Sequence, residues 1–243
     1  PPSCSAPRCC ARCPGWWGSI PRHPPTAPRP TPHDTGRVRI RNADLGWPGT
    51  EQPVLTGVDL DIAPGTHVAV IGPSGAGKST LVAALLGFLK PSKGDVAVSE
   101  NVAWAPQEPM LVSTTVAENL RLAKPTASEA DLRKALYQAV LEDVELTTML
   151  DSAGAGLSGG QAQRVALARA VLGAARADLV LLDEPTAHLD ELTARTVRER
   201  LGEALAGKTV VHVTHNAAEA ADADVVLEVR EGRVTTRVLA GHG

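Results

Sequence analysis

The stretch Gly72-Pro73-Ser74-Gly75-Ala76-Gly77-Lys78-Ser79 constrains the fold of this 243-residue chain more than any other. It follows a continuous apolar run, His67-Val68-Ala69-Val70-Ile71, and precedes Leu81, Leu85, Leu86 and Leu89 at helical spacing before Pro91. The pattern predicts a buried strand, a tight loop and a helix over Lys78 to Leu89. The glycines let backbone amides point inward at an anion, in conformations a Cβ would obstruct. The helix adds its positive end. Lys78 can then reach β- and γ-phosphates as a point charge, and the Ser79 hydroxyl can ligate Mg²⁺. A plain Gly-rich turn leaves the Lys-Ser pair unexplained.

From Arg37 onward, short β-branched runs alternate with helical patterns, which marks an α/β layer. Leu179 to Leu182, Thr209 to Val213 and Val225 to Val229 read as buried strands, with a crossover helix over Glu191 to Ala206 between the first two. Val38 to Ile40 and Val58 to Ile62 read as an antiparallel layer, and Val102 to Trp104 as a further strand. Glu129 to Ala139 and the stretch after Gly160 read as helices that form a subdomain over about 108–175. A chain this long, 43% hydrophobic and with net charge -3, can bury a full core in one soluble domain without disulfides or metals. No run reaches the roughly 18 to 20 apolar residues that cross a bilayer. The charge balance supplies no basic footprint, which argues against a nucleic-acid partner.

Residues 1–35 differ sharply from the rest. They hold ten of the nineteen prolines and all four cysteines, with no acid before Asp34. Such a segment cannot offset its ordering entropy, so it reads as an unstructured extension. The missing initiator Met and the abrupt change near Gly36 also suit GC-rich DNA read outside its true frame or start. Cys4, Cys9, Cys10 and Cys13 match no zinc-ligand spacing, and the segment has no apolar core of a secretory signal. The domain proper is taken as 36–243.

Two carboxylates, Asp183 and Glu184, stand where the run Val180-Leu181-Leu182 emerges, at the sheet edge where open α/β folds bind ligands. Asp183 suits Mg²⁺ binding through water, and Glu184 suits a general base that deprotonates an attacking water. His215 follows the strand Thr209 to Val213 and is placed to contact a γ-phosphate. Gln107, after the strand ending at Trp104, can sense Mg²⁺ while joining core to helical subdomain. Leu157-Ser158-Gly159-Gly160-Gln161 begins a helix, and the Ser158 hydroxyl with the Gly159 and Gly160 amides makes a second anion site that cannot be aimed at the chain's own phosphate.

These residues resemble the nucleotide-binding subunit of an ABC transporter, over Arg37 to about Arg237. The resemblance implies a P-loop NTPase cassette with a RecA-like core sheet, an antiparallel β layer and a helical subdomain. In that family Gly72 to Thr80 corresponds to the Walker A loop, Gln107 to the Q-loop and Leu157 to Gln161 to the signature. Val180 to Glu184 corresponds to Walker B, His188-Leu189-Asp190 to the D-loop and His215 to the switch. Trp47 takes the place of the aromatic that stacks on adenine, where tyrosine is more usual. The signature implies a partner cassette, homo- or heterodimeric, with two shared ATPs. It also implies a transmembrane domain or subunit that places the cassette at the cytoplasmic face of the plasma membrane.

Thr115-Val116-Ala117-Glu118-Asn119-Leu120 and Pro185 to Asp190 are similar to exporter cassettes, bacterial thiol exporters of cytochrome bd assembly in particular. Two features depart from them. Only 29 positions separate Lys78 from Gln107, which predicts a missing helix or β-hairpin, and Asp151 to Gly156 lacks the glutamate that exporters carry before the signature. A soluble ABC ATPase and an orphan cassette without transport coupling are the competing classes.

Overall fold

The computed structural model describes residues 36–150 and 156–239. The Cys-rich extension and residues 151–155 before the signature lie outside the described residues. In chain order the elements are β1 (Val38–Leu45), β2 (Leu55–Ile62), β3 (His67–Ile71), α1 (Lys78–Leu85), β4 (Lys93–Ala97), β5 (Val102–Ala105), α2 (Val116–Arg121), α3 (Glu129–Gln138), α4 (Gly159–Ala174), β6 (Leu179–Asp183), α5 (Glu191–Ala204), β7 (Thr209–Val213), α6 (Ala217–Ala221), β8 (Val225–Arg230) and β9 (Arg233–Val238).

The larger sheet runs β5-β6-β7-β3-β8-β9. It is parallel from β5 to β8, and β9 returns antiparallel. β3, β6 and β7 are apolar without alternation because both faces are covered. Leu179 and Leu181 of β6 join Val211 and Val213 of β7 in the core shared with α1 and the smaller sheet. Val180 and Leu182 face the opposite core with α2, α3, α4 and α5. The helical layer therefore shares its core with one face of the parallel sheet, through Val116, Leu120, Leu132, Leu136, Val165 and Val171.

The smaller sheet is antiparallel, ordered β2-β1-β4. β2 alternates after its start, burying Val58, Leu60 and Ile62. β1 buries Val38 and Ile40, then changes phase to bury Ala43 and Leu45. The register shifts between Ile40 and Ala43, where Asn42 takes φ 41, so an irregularity resets which side chains face inward.

Several boundaries differ from the sequence reading. The helix expected to reach Leu89 stops at Leu85, because Gly87 turns left-handed at φ 75 and the Phe88 and Leu89 amides donate back to the Ala83 carbonyl. Leu89 keeps its helical spacing yet is buried from beyond the helix end. The helix expected to run to Ala206 ends at Ala204. Between Lys78 and Gln107 the chain holds α1, then β4, added to β1, and β5, which pairs with β6; its described residues include no second helix and no β4–β5 hairpin. β9 was not anticipated because its residues are mostly polar and exposed. It forms through a two-residue turn, Glu231-Gly232, with φ 50 and 73, the doubly positive geometry that suits a tight hairpin.

β7 carries a buried imidazole into the sheet. His212 of β7 is 5% exposed, and its Nδ1 lies 2.9 Å from Nε2 of His67 on β3. Burial, then neighbouring His67, push the His212 imidazole from 6.5 down to about 4. Burial lowers His67 as well. The unfolded chain takes up the His212 proton near 6.5 and the folded chain only near 4, so stability present at neutral pH is lost as pH falls through that window. Urea titration should show wild type losing about 2 kcal/mol between roughly pH 7 and 5 through this group, and His212→Gln losing correspondingly less over the same interval.

Candidate functional site

Parallel register carries the ends of β3, β7 and β6 to one edge. Val70 pairs with Val213 and Val213 with Asp183, so the next positions on the three strands are Ile71, Thr214 and Glu184. The Gly-rich loop, the carboxylate pair and His215 thus leave the same edge of adjacent strands, spaced about 4.8 Å per step.

The loop conformation depends on missing side chains. A Cβ at Gly72 would lie 2.2 Å from the Val229 carbonyl oxygen, and one at Gly77, where φ is 110, would lie 2.6 Å from Leu55 Cδ2. Gly77 caps α1 without a side-chain bond, so the first amides of that helix have no capping oxygen. Lys78 Nζ donates to the carbonyls of Gly72 (2.8 Å) and Pro73 (3.0 Å), which folds the ammonium over the loop. Ser74, Gly75 and Ser79 are exposed, and Ala76 is half-buried. Trp47 Nε1 donates to the buried Thr80 hydroxyl at 3.2 Å, fastening the indole to α1 while the residue stays 45% exposed.

Asp183 ends β6. Burial, then the adjacent Glu184 carboxylate, push its carboxyl above the usual carboxylate range, and Lys78 pulls it back. Glu184 adopts φ 50, a left-handed conformation costing on the order of 1–3 kcal/mol for a side-chain-bearing residue. Three neighbours hold it there. Its amide donates to the Val213 carbonyl at 3.0 Å, Gln163 Nε2 donates to its carbonyl at 2.9 Å, and Gln107 Nε2 donates to its Oε2 at 3.1 Å. His215 Nδ1 lies 3.6 Å from Glu184 Oε1, with the His215 side chain 71% exposed against 18% for Glu184.

Gln163 was not anticipated. It is 7% exposed on α4, among Ala162, Val165 and Ala166, and a lone amide in such a stripe was the available signal. Only the tertiary fold shows that it meets a carbonyl 21 residues away.

The signature lies at the start of α4. Ser158 is the N-cap: its hydroxyl accepts from the Gln161 amide (3.2 Å), and its own amide donates to Gln161 Oε1 (3.0 Å). Gln161 Nε2 donates to Asp143, and Leu157 packs against the helical core. Ser158 and Gly159 are exposed, and Gly160 is half-buried. Among the described residues no hydrogen bond or ion pair joins these positions to Gly72–Thr80. Asp190 is likewise a cap. Its Oδ1 accepts from the Thr193 amide at 3.0 Å at the start of α5, and that bond lowers its carboxyl below the usual value. The structure thus gathers Lys78, Gln107, Asp183, Glu184 and His215, and places Ser158–Gly160 and Asp190 at two further helix starts.

Among the described residues no group of three or more His, Cys, Asp or Glu side chains is set to cage a metal.

A doubly covered parallel sheet, a glycine loop between strand and helix, and paired acids at the neighbouring strand end define a P-loop nucleotide-binding cassette. Residues 55–187 match the family described as ABC transporter, and the chain belongs to that family. ABC transporter C family member 9 of Arabidopsis thaliana is 36% identical over 83% of this chain and 14% of its own length. The glutathione/L-cysteine transport system ATP-binding/permease protein CydC of Escherichia coli is 36% identical over 75% of this chain and 34% of its own length. The solved structure of a bacterial Atm1-family ABC exporter with ATP bound superposes with TM-score 0.78 at 28% identity, covering 87% of this chain and 40% of that one. The chain therefore spans about a seventh to two fifths of these proteins. No helix among its described residues is long and apolar enough to cross a membrane.

Gly72→Ala tests the loop. Its methyl group cannot coexist with the Val229 carbonyl, so calorimetric titration should show ATP affinity falling by roughly tenfold or more, about 1.4 kcal/mol. Wild-type affinity would show that the loop backbone does not need this close approach.

Proposed function

We propose that this chain binds ATP with Mg²⁺ and hydrolyses it at a site completed by a second cassette, and that closure and release of the pair drive a transmembrane partner. The observation that carries the reading is Glu184: a carboxylate beside the phosphate loop, strained, and flanked by Gln107 and His215. Such strain persists only where surrounding structure imposes it.

The chain's own groups divide the work. Lys78 exchanges the Gly72 and Pro73 carbonyls for β- and γ-phosphate oxygens, and the amides at the start of α1 complete the cradle. Trp47 offers a half-exposed indole to adenine, held in place by Thr80. Mg²⁺, when bound through Ser79 and Asp183, neutralises charge on the phosphates. Asp183 fits that role, because its half-buried carboxyl stands beside a second acid and is stabilised by nearby Lys78. Glu184 accepts the proton of the attacking water, His215 holds the γ-phosphate and water in line, and Gln107 keeps the Glu184 carboxylate turned toward them.

Ser158 and Gly159 are exposed, and the Ser158 hydroxyl, though it caps α4 through the Gln161 amide, stays open to solvent, which supports their use on a partner cassette's γ-phosphate. Asp190, at the D-loop position of the resembled family, is assigned to the same interface. ATP then acts as the glue between two copies, a two-state element that a membrane partner can follow.

For that partner we assign the free edge of β5. A cleft of about 420 Å³ there is lined by Trp104, Leu122 and Arg169, and exposed Phe88 packs edge-on against Trp104 at 6.0 Å. Phe88 and Leu122 are 67% and 59% exposed, an apolar rim suited to a cytoplasmic segment of a membrane-spanning subunit. The name of the Escherichia coli relative joins ATP binding to a permease in one protein, which supports the pairing.

Glu184→Gln is expected to lower ATP turnover by about 10²–10⁴-fold with ATP affinity retained, since only proton acceptance is removed. Wild-type turnover in a phosphate-release assay would eliminate Glu184 as the base. Ser158→Arg is expected to abolish ATP-dependent dimerisation in light scattering while each monomer still binds ATP. A dimer that persists would remove the cross-site role.

A further inference from the structure

Behind the candidate site, on the side away from the Gly-rich loop, lies a buried acid that none of the motifs accounts for. Glu219 of α6 is 5% exposed. Its Oε1 accepts from the Thr186 hydroxyl and from Arg198 Nη1 at 3.4 Å, and its Oε2 accepts from the Thr214 hydroxyl at 2.5 Å. Burial opposes the charge, and the two hydroxyls, His212 and Arg198 more than compensate, holding the carboxyl below its usual value.

The positions of these partners matter more than their number. Thr186 lies two residues after Glu184, in the turn running to Asp190. Thr214 immediately precedes His215, and its hydroxyl also accepts from the Asn216 amide at 3.0 Å. Arg198 belongs to α5, the helix capped by Asp190, and also reaches Glu191 at 3.3 Å. One carboxylate therefore touches the turn after the general base, the segment carrying the switch histidine, and the helix that starts at Asp190. Packing alone does not lock these pieces together. A cavity of about 280 Å³ opens between α5 and the sheet beside the tie, walled by Leu201, Leu205 and Val210.

We propose that Glu219 is a positioning residue that holds the Glu184–Asp190 turn and the His215 segment in one register, so that the two approach the nucleotide together. It touches no reacting atom, and the inference rests on the hydrolytic reading of Glu184 and His215. Both Glu219 oxygens are in use, so the Glu219→Gln amide loses the charge paired with Arg198 and keeps one acceptor oxygen: an N–H turned toward Arg198 meets no acceptor, and one turned toward a threonine makes that hydroxyl reverse its bond, which weakens the tie. The phosphate cradle lies on other elements, so binding is untouched.

The experiment measures kcat and KM for ATP in the full chain for wild type, Glu219→Gln, Thr214→Val, Thr214→Ser and Glu184→Gln, with thermal unfolding recorded for each. Expected is a fall in kcat of roughly tenfold or more for Glu219→Gln and Thr214→Val with KM unchanged, the signature of an interaction realised in the transition state. Thr214→Ser, which restores the hydroxyl, should recover kcat. Should Glu219→Gln fail to fold, the Thr214 pair decides: equal kcat in the Val and Ser variants overturns the proposal, and recovery only in Ser supports it. Wild-type kcat in a folded Glu219→Gln, or parallel losses in kcat and KM, also overturns it. Glu184→Gln separates the two levels, since full turnover there removes the hydrolytic reading itself, whereas its inactivity beside a fully active Glu219→Gln removes only the tie.

Discussion

Parallel pairing of β6 with β7 and of β7 with β3 is the constraint on which the rest depends. The register makes Asp183, Val213 and Val70 neighbours, so chain segments of which the first lies more than a hundred residues from the other two leave the sheet side by side. That pairing is stable only because both faces are covered, by α1 and the small sheet on one side and by the helical layer on the other. The alternating side chains of β6 are shared between the two cores, so the strand carrying the acids is gripped from both faces.

Rigidity at that edge is used to hold an unfavourable conformation. Glu184 sits at positive φ because β7 takes its amide, α4 its carbonyl and Gln107 its carboxylate. These holders come from the sheet, the helical layer and the segment linking them, so movement of the helical layer is felt directly at the carboxylate. His215 remains largely exposed and 3.6 Å away, the less constrained member of the pair. A firmly held carboxylate thus stands beside a freer imidazole.

Helix starts supply the other half of the chemistry. Ser158, Asp190 and Gly77 each begin a helix, with different outcomes. Ser158 and Asp190 satisfy first-turn amides with their own oxygens, whereas Gly77 has no side chain and leaves the α1 amides for a ligand. The motif residues at α4 and α5 thus do ordinary capping work within one chain. The dimer role proposed for them adds to that local function and does not replace it.

Much was legible before the fold. The Gly-rich loop, the acids ending an apolar run and the Ser-Gly-Gly helix start are local patterns whose chemistry depends on neighbouring residues, and β3, β6 and β7 announce themselves by short runs rich in valine and leucine. β9 was hidden because an exposed edge strand carries no apolar signal, and α1 ended early because a left-handed glycine, not a proline, stops it. Sequence alone singled out the groups proposed to bind phosphate and to accept a proton. Only the tertiary structure decided that Gln163 holds the Glu184 carbonyl, that Thr80 anchors Trp47 and that Glu219 joins two loops. The reason is physical: capping and loop geometry are set within a few residues, whereas a hydrogen bond across 21 or 33 positions exists only after the sheet register has brought its ends together.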